Sequence, residues 1–344
     1  MVNSTTSPDG FPITVLTGFL GSGKTTLLKE YLAEGANQDT AVIINEFGEV
    51  GLDHHLVEAI TDDMVVLSGG CICCSINGDL PLTLERLHQS AQQGKIPPFK
   101  RVLIETTGLA DPAPVIQSLI LDKKTREHFY FDQLISTVDA TQFERQLARH
   151  LEIEQQLMLA DVLILTKTDC ISDSQRTQLI QLLGTLQPHA PLLSKQAGQR
   201  LADALEIRWA DPERHSLAAS NAAAWAQRLT GSFCTDPGCN DASHSHFAHN
   251  QRYQSTEFTF DAPLAWEDVS DWLASLCFFH GERILRMKGI LQLQDEPRPV
   301  VIHGVHQTLY PSETLASWGT LPRRSSVVFI TEQLEKNLLT PPFQ

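Results

Sequence analysis

GFLGSGKTT, residues 18–26, stands between the apolar run ITVLT (13–17) and KTTLLKEYLAE (24–34), whose apolar residues recur at helical spacing. Gly18, Gly23, Lys24 and Thr25 fill the pattern G-x-x-x-x-G-K-[ST]. The pattern has physical meaning only where a strand precedes it and a helix follows, as the flanking residues predict here. The glycines let the backbone curl so that its N–H groups face phosphate oxygens, and the helix N-terminus adds positive potential. Lys24 is then expected to reach the β- and γ-phosphates, and the Thr25 hydroxyl to ligate Mg²⁺. Nucleotide binding is the first functional expectation.

Outward from this loop, short apolar, often β-branched runs alternate with helical patterns. TAVIIN (40–45), MVVLS (64–68), RVLIET (101–106), LISTV (134–138) and DVLILT (161–166) read as further strands. Near-continuous apolar strands separated by helices predict a mainly parallel sheet covered on both faces. The fold class expected is α/β: a P-loop NTPase domain over 1–210, followed by a smaller α+β domain over 253–344. Residues 211–252 have no clean period and read as a flexible linker containing cysteine and histidine, with one short helix near 221–229. Beyond it, STEFTFDA (255–262) alternates like a half-buried strand. Val269, Trp272, Leu273 and Leu276 mark the buried stripe of a helix, and ILRMKGILQL, PVVIHGV and SSVVFIT predict more strands.

Composition narrows the partners. A formal net charge of -15 over 344 residues, without clustered Lys or Arg, argues against nucleic acid and against anionic membranes. No apolar stretch approaches the roughly 20 residues of a membrane span, and the N-terminus lacks an export pattern. A cytoplasmic, reducing setting is expected. There the seven cysteines are not a disulfide framework, yet three of them, Cys71, Cys73 and Cys74, crowd into GGCICCSING (69–78). Soft thiolates suit Zn²⁺ and Co²⁺, and a closed structural zinc site takes four ligands. Three thiols leave a position for a carboxylate, water or a client, so such a site can hand its metal on. Buried structural cysteines and a reversible Cys73–Cys74 disulfide are the alternatives.

Two further segments belong beside the phosphate loop. LIETTGLADP (103–112) places Glu105 where a Walker B acid stands and Gly108 where a γ-phosphate-sensing glycine stands. LILTKTD ends a predicted strand with Thr166, Lys167, Thr168 and Asp169, at the edge where α/β proteins bind ligands. The Asp carboxylate can accept from the guanine N1 and N2 donors, which favours GTP; Thr166 stands where Asn is usual.

With NEFGEVGLD (45–53), GGCICC, LRMKGIL and VIHGV added to these motifs, the chain resembles the CobW family of P-loop GTPases, over residues 13–306. The resemblance implies a GTPase that binds a transition metal (Zn, Co or Fe) at C-x-C-C and delivers it to a metal-requiring client protein or cofactor pathway. It implies Lys24, Thr25 and Glu105 as catalytic residues. Nucleotide contacts would come from Gly21, Ser22, Gly23, Lys24, Thr25, Thr26, Gly108, Lys167 and Asp169. Metal ligands would be Cys71, Cys73 and Cys74, joined by Glu46 or Glu49. The implied cofactors are GTP and Mg²⁺, with Zn²⁺ or Co²⁺ as the transported metal, and a homodimer is admitted. The thiols lie between the 45–53 loop and the 105–108 turn, both candidate γ-phosphate sensors, which suggests coupling: γ-phosphate would order the loops around the thiols, and hydrolysis would release them. A small-molecule kinase, which leaves C-x-C-C unexplained, and a thiol redox sensor that binds nucleotide only for stability are the rival functions. The tract with Cys234, Cys239, His244, His246 and His249 matches no standard zinc module and reads as solvated linker, with an auxiliary metal-loading site as the alternative. Cys170 and Cys277 read as lone cysteines, His303 and His306 as packed or sheet-surface residues, and Trp266 and Trp272 as core.

Overall fold

The protein is described by a computed structural model. It covers residues 10–33, 39–45, 57–61, 64–67, 72–75, 79–194, 200–207, 253–319 and 321–343, with backbone only at 45, 57–61, 64–67 and 72–75. The chain divides into two compact units, residues 1–208 and 209–344. The linker 211–252, with its expected short helix and its Cys/His tract, lies outside the described residues.

In the first unit the strands are β1 (Phe11–Gly18), β2 (Thr40–Asn45), β3 (Val57–Thr61), β4 (Met64–Leu67), β5 (Ile72–Ser75), β6 (Arg101–Thr106), β7 (Phe129–Asp139), β8 (Val162–Thr166) and β9 (Leu192–Ser194). Between them run α1 (Lys24–Ala33), α2 (Leu80–Gln92), α3 (Pro112–Leu121), α4 (Lys123–His128), α5 (Phe143–Leu147), α6 (Leu151–Leu159), α7 (Asp173–Leu186) and, last, α8 (Leu201–Leu205). The sheet order is β3-β4-β5-β2-β6-β1-β7-β8-β9. From β5 to β9 every pairing is parallel, and β4 and β3 extend the edge antiparallel.

The expected α/β fold is the one observed, and its cause is visible in burial. Ile13, Val15, Leu16, Val102, Leu103 and Ile104 are all fully buried. Side chains alternate between the faces of a strand, so an unbroken buried run requires cover on both sides. On one side Leu27, Leu28 and Tyr31 of α1 and Leu201, Ala204 and Leu205 of α8 pack on Leu16, Val42, Ile44, Leu103 and Ile164. On the other, α6 packs on β1 and β7, and α3 on β7. Helix ends are defined by capping side chains: the Asp111 carboxylate accepts from Ala113 N (2.9 Å), and Ser172 and Gln175 form a reciprocal box at α7.

Sequence patterning assigned no strand to 57–61, 72–75 or 192–194, and it cut β7 short. Three- to five-residue strands carry too little periodicity to register, and they are strands because a neighbour pairs with them. The omission matters at β5, because it carries Cys73 and Cys74.

The second unit is an antiparallel sheet in the order β10-β15-β11-β12-β13, built from β10 (Tyr253–Phe260), β11 (Ile284–Leu291), β12 (Val300–Val305), β13 (Thr308–Leu309) and β15 (Ser325–Glu332). A short β14 (Glu313–Thr314) pairs with β12. The long helix α9 (Trp266–His280) presents Val269, Trp272, Leu273, Leu276 and Cys277 to Phe258, Phe260, Met287, Leu291 and Phe329. Trp272 meets Phe329 edge-on at 5.4 Å and 71°. Its indole N–H is satisfied by Leu339 O (3.1 Å) on the terminal helix α10 (Lys336–Leu339). Trp266 packs against the same core while partly buried, His303 lies on β12, and His306 sits in the turn after it at φ 51°.

Candidate nucleotide-binding site

β1 ends and α1 begins within six residues, and the loop between them closes tightly. Gly21 and Gly23 hold φ of 71° and 93°, values a Cβ would strain. Ser22 N donates to Phe19 O (3.1 Å), and the ammonium of Lys24, 8% exposed, donates to Gly18 O (2.8 Å) and Phe19 O (3.3 Å). The lysine is thus folded back over the loop it follows. The first N–H groups of an α-helix have no intrahelical partner, so the start of α1, with the Lys24 ammonium beside it, is a helix end of the kind that takes phosphate.

Beneath the loop lies a hydroxyl network that sequence reading did not foresee. Ser22 Oγ and Thr137 Oγ1 are 2.6 Å apart, and Thr137 donates to Thr17 O (3.2 Å). Thr106 donates to Thr17 Oγ1 (2.9 Å). Thr166 Oγ1 lies 2.7 Å from Ser22 O and 3.1 Å from Val138 O. The ends of β1, β6, β7 and β8 are thereby joined in one network, which reaches the phosphate loop at Ser22 through Thr137 and Thr166. Thr166, which departs from the usual Asn, still links the base-side loop to the phosphate side.

Glu105, next to last on β6, is 3% exposed, and its Oε1 accepts a hydrogen bond from the Thr25 hydroxyl at 2.6 Å. The expected metal-facing hydroxyl and the expected Walker B acid therefore meet. A hydroxyl and a carboxylate are hard oxygen donors of the type Mg²⁺ takes. Gly108 follows in the same turn. A Cβ on it would fall 2.5 Å from Leu20 N and 2.7 Å from Leu20 Cα, so the turn presses directly on the phosphate-loop backbone. The turn is also held from behind: Gln156 on α6, 1% exposed, donates from Nε2 to Gly108 O and Ala110 O, each at 3.1 Å. Gln156 was not foreseen, and a glutamine on a helix gives no signal of such a role.

On the base side, Lys167 adopts φ 54°, which turns the chain sharply after β8 into the 3-10 turn Thr168–Cys170. Its ammonium pairs with Asp139 Oδ2 at 2.7 Å, while Asp139 Oδ1 accepts from Thr141 N (2.8 Å) and Thr141 Oγ1 (2.6 Å). Burial pushes the Asp139 carboxyl up, but the Lys167 and Thr141 donors outweigh it and hold it below the usual range. Asp139, at the end of β7, is a second residue that sequence reading missed. Asp169 is exposed on the same turn, and the Cys170 thiol leans on its Oδ2 at 3.6 Å. The Asp169 charge, and to a lesser degree burial, raises the Cys170 thiol above its ordinary value.

Of the expected metal ligands, Glu46, Glu49 and Cys71 lie outside the described residues. Cys73 and Cys74 are placed by backbone only, on β5, in register with Val42 and Ile43 of β2. The neighbouring β2 positions Ile44 and Asn45 pair with Glu105 and Thr106. One register step and two strand spacings, about 10 Å, thus separate the backbone of Cys74 from that of the Walker B acid. Among the described residues no group of three or more His, Cys, Asp or Glu side chains is gathered for a metal, and no helix is long and apolar enough to cross a membrane.

A parallel α/β sheet that presents a glycine-rich loop, a following lysine and a strand-end acid at one edge defines a P-loop nucleotide-binding protein. Residues 12–194 match the family model of the CobW/HypB/UreG nucleotide-binding domain, and residues 253–344 match the CobW C-terminal domain. The chain belongs to the CobW family. It is 31% identical over 333 residues to the zinc chaperone YjiA of Escherichia coli, covering 96% of this chain and 97% of that one. It is 29% identical to the zinc-regulated GTPase metalloprotein activator 1 of Schizosaccharomyces pombe, over 86% of this chain and 75% of the relative. The crystal structure of Zn(II)-bound YjiA GTPase superposes with a TM-score of 0.69 at 28% identity, over 96% and 97% of the two chains.

Proposed function

We propose that this protein is a GTP-hydrolysing zinc chaperone of the cytoplasm, which takes up Zn²⁺ at Cys71, Cys73 and Cys74 and passes it to a metal-requiring client protein. The observation that carries the reading is the sheet register: β5, with Cys73 and Cys74, pairs on β2, and β2 pairs on the strand that carries Glu105. The expected thiolates and the Walker B acid are thereby carried on strands two apart in one sheet, with β2 between them. Relatives named as zinc chaperones and as a zinc-regulated GTPase support both halves.

In this reading the amides of residues 21–26 and the Lys24 ammonium neutralise the β- and γ-phosphates. Thr25 and Glu105 hold Mg²⁺, which when bound draws charge from the phosphate oxygens. Lys167 and Asp169 receive the base, with the Asp139 carboxylate fixing the lysine. The β2 strand leads into the segment with Glu46 and Glu49, which completes the thiolate site when γ-phosphate is present. Hydrolysis loosens that segment and frees the metal.

The test is a titration of Zn²⁺ under reducing conditions with the protein loaded with GDP or with a non-hydrolysable GTP analogue. Affinity should be tighter in the analogue state by about 5–150-fold, the usual range of such couplings, and zinc should tighten the analogue by the same factor. Changing Cys71, Cys73 and Cys74 together to Ser should abolish this linkage while leaving nucleotide binding in place. Equal zinc affinity in both states would overturn the proposed cycle.

A further inference from the structure

Gln156 is a neutral side chain with no chemistry of its own, yet both protons of its amide are committed to a single turn. It is anchored by α6, whose Ile153 and Leu157 are buried on either side of it, and it bonds Gly108 O and Ala110 O across 46–48 residues of sequence. The turn it holds begins after Thr106, touches the Leu20 backbone at Gly108 and ends where Asp111 caps α3. Its peptides are trans. Fixing the Gly108 and Ala110 carbonyls toward α6 therefore directs the Leu109 and Asp111 N–H groups to the opposite side. A turn already held in one conformation need not be ordered by its ligand, so less of the binding energy is consumed in ordering it.

We propose that Gln156 is a positioning residue for GTP hydrolysis, which presets the 107–111 turn in the conformation that answers to the γ-phosphate. The inference rests on the reading of this site as a GTPase. Its consequence is selective: losing Gln156 penalises the triphosphate state more than the diphosphate state, because only the former engages the turn.

Gln156→Met keeps the side chain's length and removes both donors. The dissociation constants of GDP and of a non-hydrolysable GTP analogue, with kcat for GTP, are measured for the full chain. The affinity ratio of analogue to GDP should fall about tenfold, the scale of one or two lost neutral hydrogen bonds, and kcat should fall at least as far. Gln156→Glu supplies a second readout. Its buried carboxyl, facing two carbonyls, donates only when protonated, and burial raises its pKa. Turnover of that variant relative to wild type should rise as pH is lowered from roughly 8 to 6. A residue that merely stabilises the fold would shift the thermal midpoint and both affinities together and would give no such pH response. An unchanged affinity ratio with unchanged kcat in Gln156→Met overturns the proposal, as does a flat relative profile in Gln156→Glu, which decides alone if the methionine variant does not fold. Lys24→Ala is the control: wild-type protein that hydrolyses GTP no faster than that variant would instead refute the reading of the site.

Discussion

Replacing Gly108 by Ala tests how closely the turn after β6 must sit on the phosphate loop. Gly108 is not at positive φ, so the cost is one of contact rather than of backbone dihedral. The added Cβ would lie 2.5 Å from Leu20 N, 2.7 Å from Leu20 Cα and 2.8 Å from Leu20 Cδ2, whereas Cβ contacts under 3.0 Å essentially do not occur and 3.4 Å begins ordinary contact. Turn and loop must separate by roughly 0.5–0.9 Å, and two of the three obstructing atoms are backbone that no rotamer change can move. Such overpacking costs about 1–3 kcal/mol. In a unit of this size that lowers the thermal midpoint by roughly 2–12 °C. Function should suffer more than stability, because a displacement near 1 Å at the reacting groups can cost about 10²-fold in rate. The assay is steady-state GTP hydrolysis by purified Gly108→Ala, with calorimetric unfolding of the same sample. Adding Leu20→Ala removes only the Cδ2 contact and should not restore the rate. A kcat within twofold of wild type would show that the turn has no part in hydrolysis at this distance, and the reasoning from contact to catalysis would fail.

Asp139→Ala should destabilise the first unit by about 1.5–3 kcal/mol near neutral pH, chiefly through the Thr141 donors left without a charged acceptor. The Lys167 pair adds little, since that ammonium is 42% exposed. Because the folded carboxyl is held below its ordinary value of 3.8, its contribution is complete above that pH and lost as pH falls below it. The stability gap between wild type and variant, followed by urea unfolding, should therefore close in acid; a gap that persists there would refute the assignment. Asp169→Asn should erode the preference for GTP over ATP by about tenfold or more, since an amide cannot accept two guanine donors. Competition binding with both nucleotides checks this, and intact selectivity would place base recognition elsewhere.

Some of this protein could be read from its residues because the relevant physics is local. The phosphate loop is nine contiguous residues whose glycine conformations and helix start are set by near neighbours. The stripe of Val269, Trp272, Leu273 and Leu276 follows from helical period alone, and the apolar strands of the first unit announce a sheet buried on both faces. Thr25 and Glu105, 80 residues apart, could be paired in advance only because each sits in a recognisable motif.

Tertiary structure alone decided the contacts between residues that no motif links. Ser22 meets Thr137 across 115 positions, Lys167 meets Asp139 across 28, and Gln156 reaches the Gly108 turn across 48. Each involves an ordinary polar residue whose role comes from which strand or helix end lies beside it, and parallel pairing brings together segments that sequence order keeps apart. The same holds for the thiol motif. Three cysteines in four positions raise the expectation of a metal site, but the placement of Cys73 and Cys74 two strands and about one register step from Glu105 exists only once β5 has paired on β2 and β2 on β6.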